Sequence, residues 1–430
     1  MRSGVPEMRT YTPAEAMLVA TSVLWRRPYE MESMVIEWWQ CIAVIASVVV
    51  LAPVGVLLIQ CLAAMRGVRS ASSGAPPQCS AMCVLIPAHN EEKVLGKTLL
   101  AVMPQLARGD QVLVVADNCT DQTATIARQA GASVIERHDE EQRGKGYALD
   151  AGVRHLEAAG FSGDCVVVVD ADCEVAADAL HHLLAELQHS GRSAQARYVM
   201  QLPENPSPRD YVSALAVRVR NVARARGMRR LGLPCQVTGS GIAIPWHAIR
   251  RLHLASGNIV EDMQIGLDLA EMRLGAMFVD SARVTGRLAA GDAAEAQRKR
   301  WEHGHLGTVF GVVPRLLLRG VATANLQLVA LAIDLAVLPL SLLAMIVVAM
   351  AAGAAGLGWF TGFWLAFWIS AGALVGLSVA VLAGWLVAAR GVIPLGALVA
   401  IPMYVLWKVP MWVMSVLSPQ REWVRTSRKP

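Results

Sequence analysis

The stretch Cys165-Val166-Val167-Val168-Val169-Asp170-Ala171-Asp172 decides the fold. Consecutive valines favour extended backbone, and an apolar run without alternation belongs to a strand buried on both faces. Two aspartates follow immediately. Residues i and i+2 leave an extended chain on one side, so both carboxylates emerge together from the strand end. Paired carboxylates there can hold a hard cation and leave its other positions to phosphate oxygens.

Working outward, similar apolar runs recur at 82–86 (MCVLI), 111–116 (QVLVVA) and 133–135 (SVI). Helical patterns lie between them at 91–103, 121–130 and 145–158. This alternation predicts an α/β domain with a parallel sheet. Polar residues gather just after the strands: His89-Asn90-Glu91, Asp117-Asn118 and Asp170-Asp172. Open α/β sheets bind ligands at that edge.

The flanks differ in character. The chain is 54% hydrophobic and only 17% charged, with a net charge of +5. Its mean hydropathy is +0.42. The modest positive charge suits anionic lipid headgroups. No nucleic-acid module accompanies the arginines, so no nucleic-acid partner is expected. The eight cysteines have neither CxxC nor zinc-like spacing and suit a reducing compartment.

Residues 38–65 carry no charge and exceed the ~20 residues a spanning helix needs. Trp38 and Trp39 open the run and Arg66 and Arg69 follow it, which predicts an external N-terminus and a cytosolic domain. Residues 335–389 are also free of charge, room for two spans with a turn at 353–358 (GAAGLG). A last apolar segment, 391–417, contains Pro402, Lys408 and Pro410. The expected organisation is a tail (1–37), a transmembrane helix (38–65), a catalytic domain (78–290), interfacial helices (291–320), a membrane region of about three segments (321–417) and a basic tail (418–430). The 391–417 segment is expected to turn back or to face protein, because ionisable residues at membrane depth seldom face lipid.

Several further residues are candidates for chemistry. Asp117 is placed to meet a base or ribose, while Asp121 reads as a helix N-cap. Asn90 reads as a second cap. Lys145, in Arg143-Gly144-Lys145-Gly146, either meets a diphosphate or sits solvated in a loop. Glu261 and Asp262 open a helix at 262–274, where acidic residues also suit the helix dipole. Gln297-Arg298-Lys299-Arg300-Trp301 offers an amide, fixed positive charge and a flat ring that can stack on a sugar. The arginines between 218 and 230 read as a helix lying on an anionic surface.

In this order the motifs resemble the membrane-integrated branch of glycosyltransferase family 2, which includes cellulose, hyaluronan and chitin synthases and bacterial exopolysaccharide transferases. The resemblance covers roughly residues 81–305. It implies a GT-A fold, an inverting mechanism and a nucleotide-sugar donor, with uridine the expected base. It implies donor binding by Asn90, Glu91, Asp117, Lys145, Asp170 and Arg300. Asp172 with Asp170 would hold Mg2+ or Mn2+, as the DxD pair of the family. Asp262, in Val260-Glu261-Asp262, matches the family's general base, and Gln297 and Trp301 match the acceptor platform of QxxRW. Ala116 stands where many relatives carry a second aspartate, and Val260 replaces a threonine. The implied setting is a bacterial inner membrane with the catalytic domain in the cytoplasm. The expected acceptor is a growing glycan in exopolysaccharide synthesis, with export partner proteins. The alternative is transfer of one sugar to a lipid such as a polyprenyl phosphate.

Overall fold

The computed structural model describes residues 13–67, 81–255, 261–287, 309 and 311–417. The chain divides into two compact units, Met1–Ala52 with Ile346–Leu374, and Pro53–Met345 with Val375–Pro430. Within the first, Ser47 and Ser370 share a hydrogen bond of 3.0 Å between their hydroxyls, and Ser47 Oγ also donates to Ala366 O at 3.3 Å.

The second unit holds an eight-stranded sheet of order β3-β2-β1-β4-β7-β6-β8-β5. The strands are β1 (Met82–Ala88), β2 (Gln111–Asp117), β3 (Ser133–Arg137), β4 (Cys165–Val168), β5 (Glu174–Val175), β6 (Ala194–Gln201), β7 (Ile242–Pro245) and β8 (Met277–Arg287). The first four in the order pair in parallel, as their sequences indicate. The sheet as a whole is mixed rather than parallel. β7 runs antiparallel to both β4 and β6, and β5 antiparallel to β8. β6 and β8 pair in parallel with a register shift at Ala196/Arg197. Val166, Val167 and Val169 are fully buried, which accounts for the unbroken valine run.

The crossover helices are α2 (Leu95–Val102), α3 (Thr123–Gln129) and α4 (Lys145–Ala158), with α1 being Pro13–Met65 and the short α8 after β7 being Trp246–Ile249. α4 has the predicted bounds. α2 starts four residues later than predicted, after a turn in which Glu91 O accepts from Val94 N and Leu95 N. Val94 stands at the cap position rather than Asn90, which adopts a left-handed conformation (φ 53°). The Asn90 side chain faces a neighbouring loop instead, accepting from Thr120 N at 2.7 Å. Asp121 accepts from Thr123 N at 3.0 Å, a capping bond at the start of α3, although Gln122 is the residue at the boundary.

Among the described residues, three helices are long and apolar enough to cross a membrane: Val35–Met65, Leu340–Thr361 and Leu365–Ala388. The 353–358 glycines do not make the expected turn; they lie inside the second of these helices. The break comes at Gly362, which takes a left-handed φ of 74° that ends a helix readily. The last apolar segment forms a short 3-10 turn and the helix Ile401–Leu417. Lys408 there is 3% exposed and lies 5.3 Å from the Tyr404 ring centre, so it faces protein.

Candidate active site

The ends of β1, β2 and β4 bring the predicted residues to one edge of the sheet. At the β1 and β2 ends, two loops lock together. His89 Nδ1 meets Asp117 O at 2.7 Å, and Glu91 N donates to Thr123 Oγ1 at 2.8 Å. Asp117 is buried, and its carboxylate accepts from Arg137 Nη1 at 2.7 Å and Asn118 Nδ2 at 3.3 Å. Asn118 Oδ1 in turn accepts from Asp139 N at 2.8 Å. Arg137 was not singled out from the sequence. It closes the strand 133–137, and its partner lies 20 residues earlier.

At the β4 end, Thr98 Oγ1 donates to Ala171 O at 2.8 Å and pins the Asp170–Asp172 turn. The backbone N–H of Asp170 donates to Ser240 Oγ at 3.0 Å. Lys145 is no solvated loop residue. It begins α4, and its Nζ lies 2.8 Å from Asp170 Oδ1, 3.2 Å from Asp262 Oδ1 and 2.6 Å from Gly239 O. Asp262 comes from α9 (Glu261–Glu271), 117 residues away from Lys145 in sequence.

The turn Thr238-Gly239-Ser240-Gly241 fits between these groups, and it was not read from the sequence as part of the site. Its glycine-rich composition was the available signal. Gly239 has φ 84°, and a Cβ there would stand 2.6 Å from Asp262 Oδ2. Only glycine therefore lets the turn approach the carboxylate so closely. Gln195 holds the turn from β6, donating from Nε2 to Ser240 O at 2.9 Å and accepting from Thr238 N at 3.1 Å.

The electrostatics of the cluster are lopsided. Three carboxylates (Asp170, Glu261 and Asp262) act on one ammonium, and Asp172 stands beside Asp170. Burial opposes the charge on Lys145, but Asp170, Asp262 and Glu261 outweigh it and hold the pKa above its ordinary value. Burial pushes Asp170 up to about 6, with Lys145 opposing and Asp262 and Asp172 adding to the rise. Burial and then Asp262 push Glu261 up to about 7. Such an excess of negative charge is the condition in which a divalent cation is welcome. Asp170, Asp172 and Cys173 place one ligand atom each within 4.8 Å of one another. Burial raises the Cys173 thiol pKa, keeping it protonated, so the donor set is two hard oxygen ligands. That set fits magnesium or manganese with phosphate completing the shell.

The α9 helix that carries Asp262 is backed by an apolar cluster. Met263, Leu267 and Ala270 pack with Val313 and Leu316 of α10 (Val313–Ala322) and with Leu328, Leu331 and Leu335 of α11 (Leu326–Leu335). α5 (Ala179–Ser190) packs in the sheet's core cluster through Leu180, Leu183 and Leu184. The arginine-rich stretch comprises α6 (Pro208–Arg218), a π-helical turn (Val219–Arg224) and α7 (Ala225–Arg230). It is largely buried rather than laid on a surface. Arg224, Arg226 and Arg229 pair with Asp334, Asp280 and Glu186 at 2.6–2.7 Å. Those partners are 43 to 110 residues away in sequence, which hid the neutralisation. Gln297, Arg300 and Trp301 lie outside the described residues.

Residues 83–251 match the family model for glycosyl transferase family 2. This stretch is thus similar to family 2 glycosyltransferase domains, and it contributes seven of the eight strands of the mixed sheet. Among curated proteins it is similar to the 4,4'-diaponeurosporenoate glycosyltransferases of several Staphylococcus aureus strains, 35% identical over 115 residues. That alignment covers 26% of this chain and 29% of the relative, so the chain spans under a third of the curated relatives it matches. Among solved structures, the mannosyltransferase PcManGT of Pyrobaculum calidifontis, in complex with GDP-Man and Mn2+, aligns at 21% identity and TM-score 0.47. The alignment covers 79% of this chain and 98% of that one. Glucosyl-3-phosphoglycerate synthase of Mycobacterium tuberculosis, with Mn2+, UDP-glucose and glycerol 3-phosphate, aligns at 21% and TM-score 0.33, over 51% and 76%.

Proposed function

We propose that the protein is a membrane-bound inverting glycosyltransferase that moves a hexose from a nucleoside-diphosphate sugar, a UDP-sugar by family resemblance, to an acceptor hydroxyl. One observation carries the reading: a single lysine links the DxD carboxylate Asp170 to Asp262. Donor and acceptor chemistry therefore meet within one hydrogen-bonded cluster.

Asp262 takes the proton of the acceptor hydroxyl as its oxygen attacks the anomeric carbon. The bond from that carbon to the diphosphate breaks on the opposite face, and its electron pair leaves with the diphosphate. Lys145 holds the Asp262 carboxylate through the 3.2 Å contact before the step and stands beside the leaving group during it. The Gly239 turn fixes the Asp262 rotamer. Asp170 and Asp172 would hold Mg2+ or Mn2+, which when bound neutralises charge on the diphosphate. Asn90, Glu91 and Asp117 hold the nucleoside, with Arg137 orienting the Asp117 carboxylate. Arg300 adds charge at the diphosphate, and Gln297 and Trp301 form the acceptor platform. In this reading the domain works on the cytoplasmic face of a bacterial inner membrane, a setting supported by three apolar helices of spanning length among the described residues.

The first acceptor reading is a growing glycan of exopolysaccharide type, passed to export partner proteins. The second is a single transfer to a lipid. It is favoured by the curated relatives, whose name specifies one compound, and by the presence of three candidate spans among the described residues. Purified protein in lipid, offered a panel of nucleotide sugars with Mg2+ or Mn2+, tests both. The expected result is release of nucleoside diphosphate and an acceptor heavier by one hexose; a ladder of masses selects the glycan reading. No turnover of any nucleotide sugar would overturn the proposal.

A further inference from the structure

Four arginines share one carboxylate where β6 and β8 meet the arginine-rich stretch. Asp280 lies in the irregular part of β8, between Val279, the partner of Ala196, and Arg283, the partner of Arg197. Its Oδ2 accepts from Arg226 Nη2 at 2.6 Å. Its Oδ1 lies 3.6 Å from Arg197 Nη1, too far for a hydrogen bond. Arg218, at the end of α6, and Arg283 have no ion pair among the described residues. Burial lowers the Arg197 pKa; Asp280 opposes the fall, and Arg226 and Arg283 add to it. Burial and then Arg197 lower that of Arg218. Arginine nonetheless stays charged at any ordinary pH, so one aspartate faces an excess of positive charge.

The group is open to a ligand. Arg283 is exposed, and the side chains of Arg197, Arg226 and Asp280 are 28%, 17% and 32% exposed. Arg197 and Arg283 are direct partners in the β6–β8 register, so their side chains leave the sheet on one side. Like charges directly opposite one another are destabilising, and an anion between the two guanidinia removes that cost. Tyr198, next along β6, points to the other side, where it packs on the core cluster that includes Ala171 and Cys173. The arginines therefore stand on the sheet face opposite Cys173, away from the donor cluster.

The same face is joined to the ends of two apolar helices. Arg218 Nη1 donates at 3.2 Å to the carbonyl of Ala388, the last residue of Leu365–Ala388. A Cβ on Gly384 of that helix would stand 2.8 Å from Val219 Cγ2, in the π-helical turn. A Cβ on Gly227 of α7 would run into the carbonyl of Gln60, in the last turns of Val35–Met65. Both helices are of spanning length, so the ends that meet this stretch mark the depth of lipid headgroups. Arg218 touches Ala388 and also acts on Arg197, which puts the arginine group beside that depth. Basic groups in such a position bind anionic headgroups.

We propose that Arg197, Arg283 and Arg226 form a binding site for the phosphate of an anionic lipid headgroup, held as a resident ligand and not consumed. Arg197 and Arg283 face the phosphate from adjacent strands, where guanidinium forks suit its oxygens. Asp280 is a positioning residue: it holds Arg226 at the site and neutralises only part of the charge. Arg218 is a second positioning residue, tying the site to the end of Leu365–Ala388. The lipid tails then lie along the apolar helices. The proposal does not depend on the transferase reading, because its ligand is bound without reaction.

The test uses the full-length protein in detergent, with no nucleotide sugar present. It is titrated with dioleoylphosphatidylglycerol or with dioleoylphosphatidylcholine, whose choline cancels the phosphate charge, and bound lipid is counted by native mass spectrometry. The expected result is one phosphatidylglycerol held ~10–100-fold more tightly than phosphatidylcholine, the worth of hydrogen bonds to a charged group. Inorganic phosphate at the same concentration should not displace it, since it lacks the tails. Arg283→Gln, at an exposed position, and Arg197→Gln should each weaken phosphatidylglycerol ~10-fold and leave phosphatidylcholine unchanged. Arg283→Lys should keep part of the preference, restoring charge without the fork. Arg230→Gln, an exposed arginine of the same stretch outside the group, should bind as the wild type does. Equal affinity of the wild type for the two lipids would overturn the proposal. So would folded Arg197→Gln and Arg283→Gln variants that keep the preference, or a loss just as large in Arg230→Gln. Displacement by inorganic phosphate at equal concentration would contradict the lipid source and leave a soluble phosphate as the ligand.

Discussion

The ammonium of Lys145 stands 3.2 Å from the carboxylate of Asp262 and 2.8 Å from that of Asp170. These three residues come from the first turn of α4, the first turn of α9 and the end of β4. Their meeting joins the parallel half of the sheet, where nucleotide sites form, to the helix that packs against Val313–Ala322 and Leu326–Leu335. In the proposed reaction the same contact holds the base beside the donor site.

The carboxylate pair makes transfer depend on a divalent cation. Asp172→Ala should abolish transfer and weaken donor binding measured by calorimetry in the presence of Mn2+. Without added metal, donor binding by wild type and variant should converge. Full wild-type activity in excess chelator would contradict the assignment.

Gly239→Ala is expected to be damaging for two separate reasons. The φ of 84° disfavours a side chain, and the new Cβ would press on Asp262 Oδ2 at 2.6 Å. Strain at such a position costs on the order of 1–3 kcal/mol. The variant should unfold at lower denaturant and lose kcat by more than the stability change explains, because Asp262 must rotate away. Unchanged kcat in a folded Gly239→Ala protein would show that the turn does not set the base.

The buried ion pair of Arg224 and Asp334 should be fragile to single substitution. Both side chains are at most 5% exposed. Removing one partner strands the other, a loss of about 3–5 kcal/mol. Asp334→Ala should therefore show a large drop in thermal stability in detergent. Arg224→Met with Asp334→Leu should recover much of it, since replacing both partners removes the stranded charge. A single variant as stable as the wild type would argue against the network.

How far the sequence foretells this arrangement depends on how local the signal is. β1, β2 and β4 are legible because each is an apolar run followed by a polar cluster. β6 (AQARYVMQ) has no such contrast, and its pairing with β7 and β8 depends on residues far along the chain. The antiparallel half of the sheet was accordingly missed. Asp170, Asp172 and Asp262 stand out by motif. Ser240, Gly239 and Arg137 do not, because their importance lies in contacts across the fold. The glycines at 353–358 misled for a physical reason. In a long apolar helix the cost of glycine, about 1 kcal/mol each relative to alanine, is readily outweighed. Only Gly362, with its left-handed backbone, ends the helix.

The central claim is that Asp262 is the general base. Its most direct test is the rate of sugar transfer by Asp262→Asn at saturating donor and metal, with donor affinity measured alongside. Asparagine is nearly isosteric and starts a helix as well as aspartate does, so the fold and the Asp170–Asp172 pair should persist. The expected result is a fall in transfer of ~10²-fold or more with donor affinity close to that of the wild type. Transfer near the wild-type rate would contradict the account and move the role to Glu261.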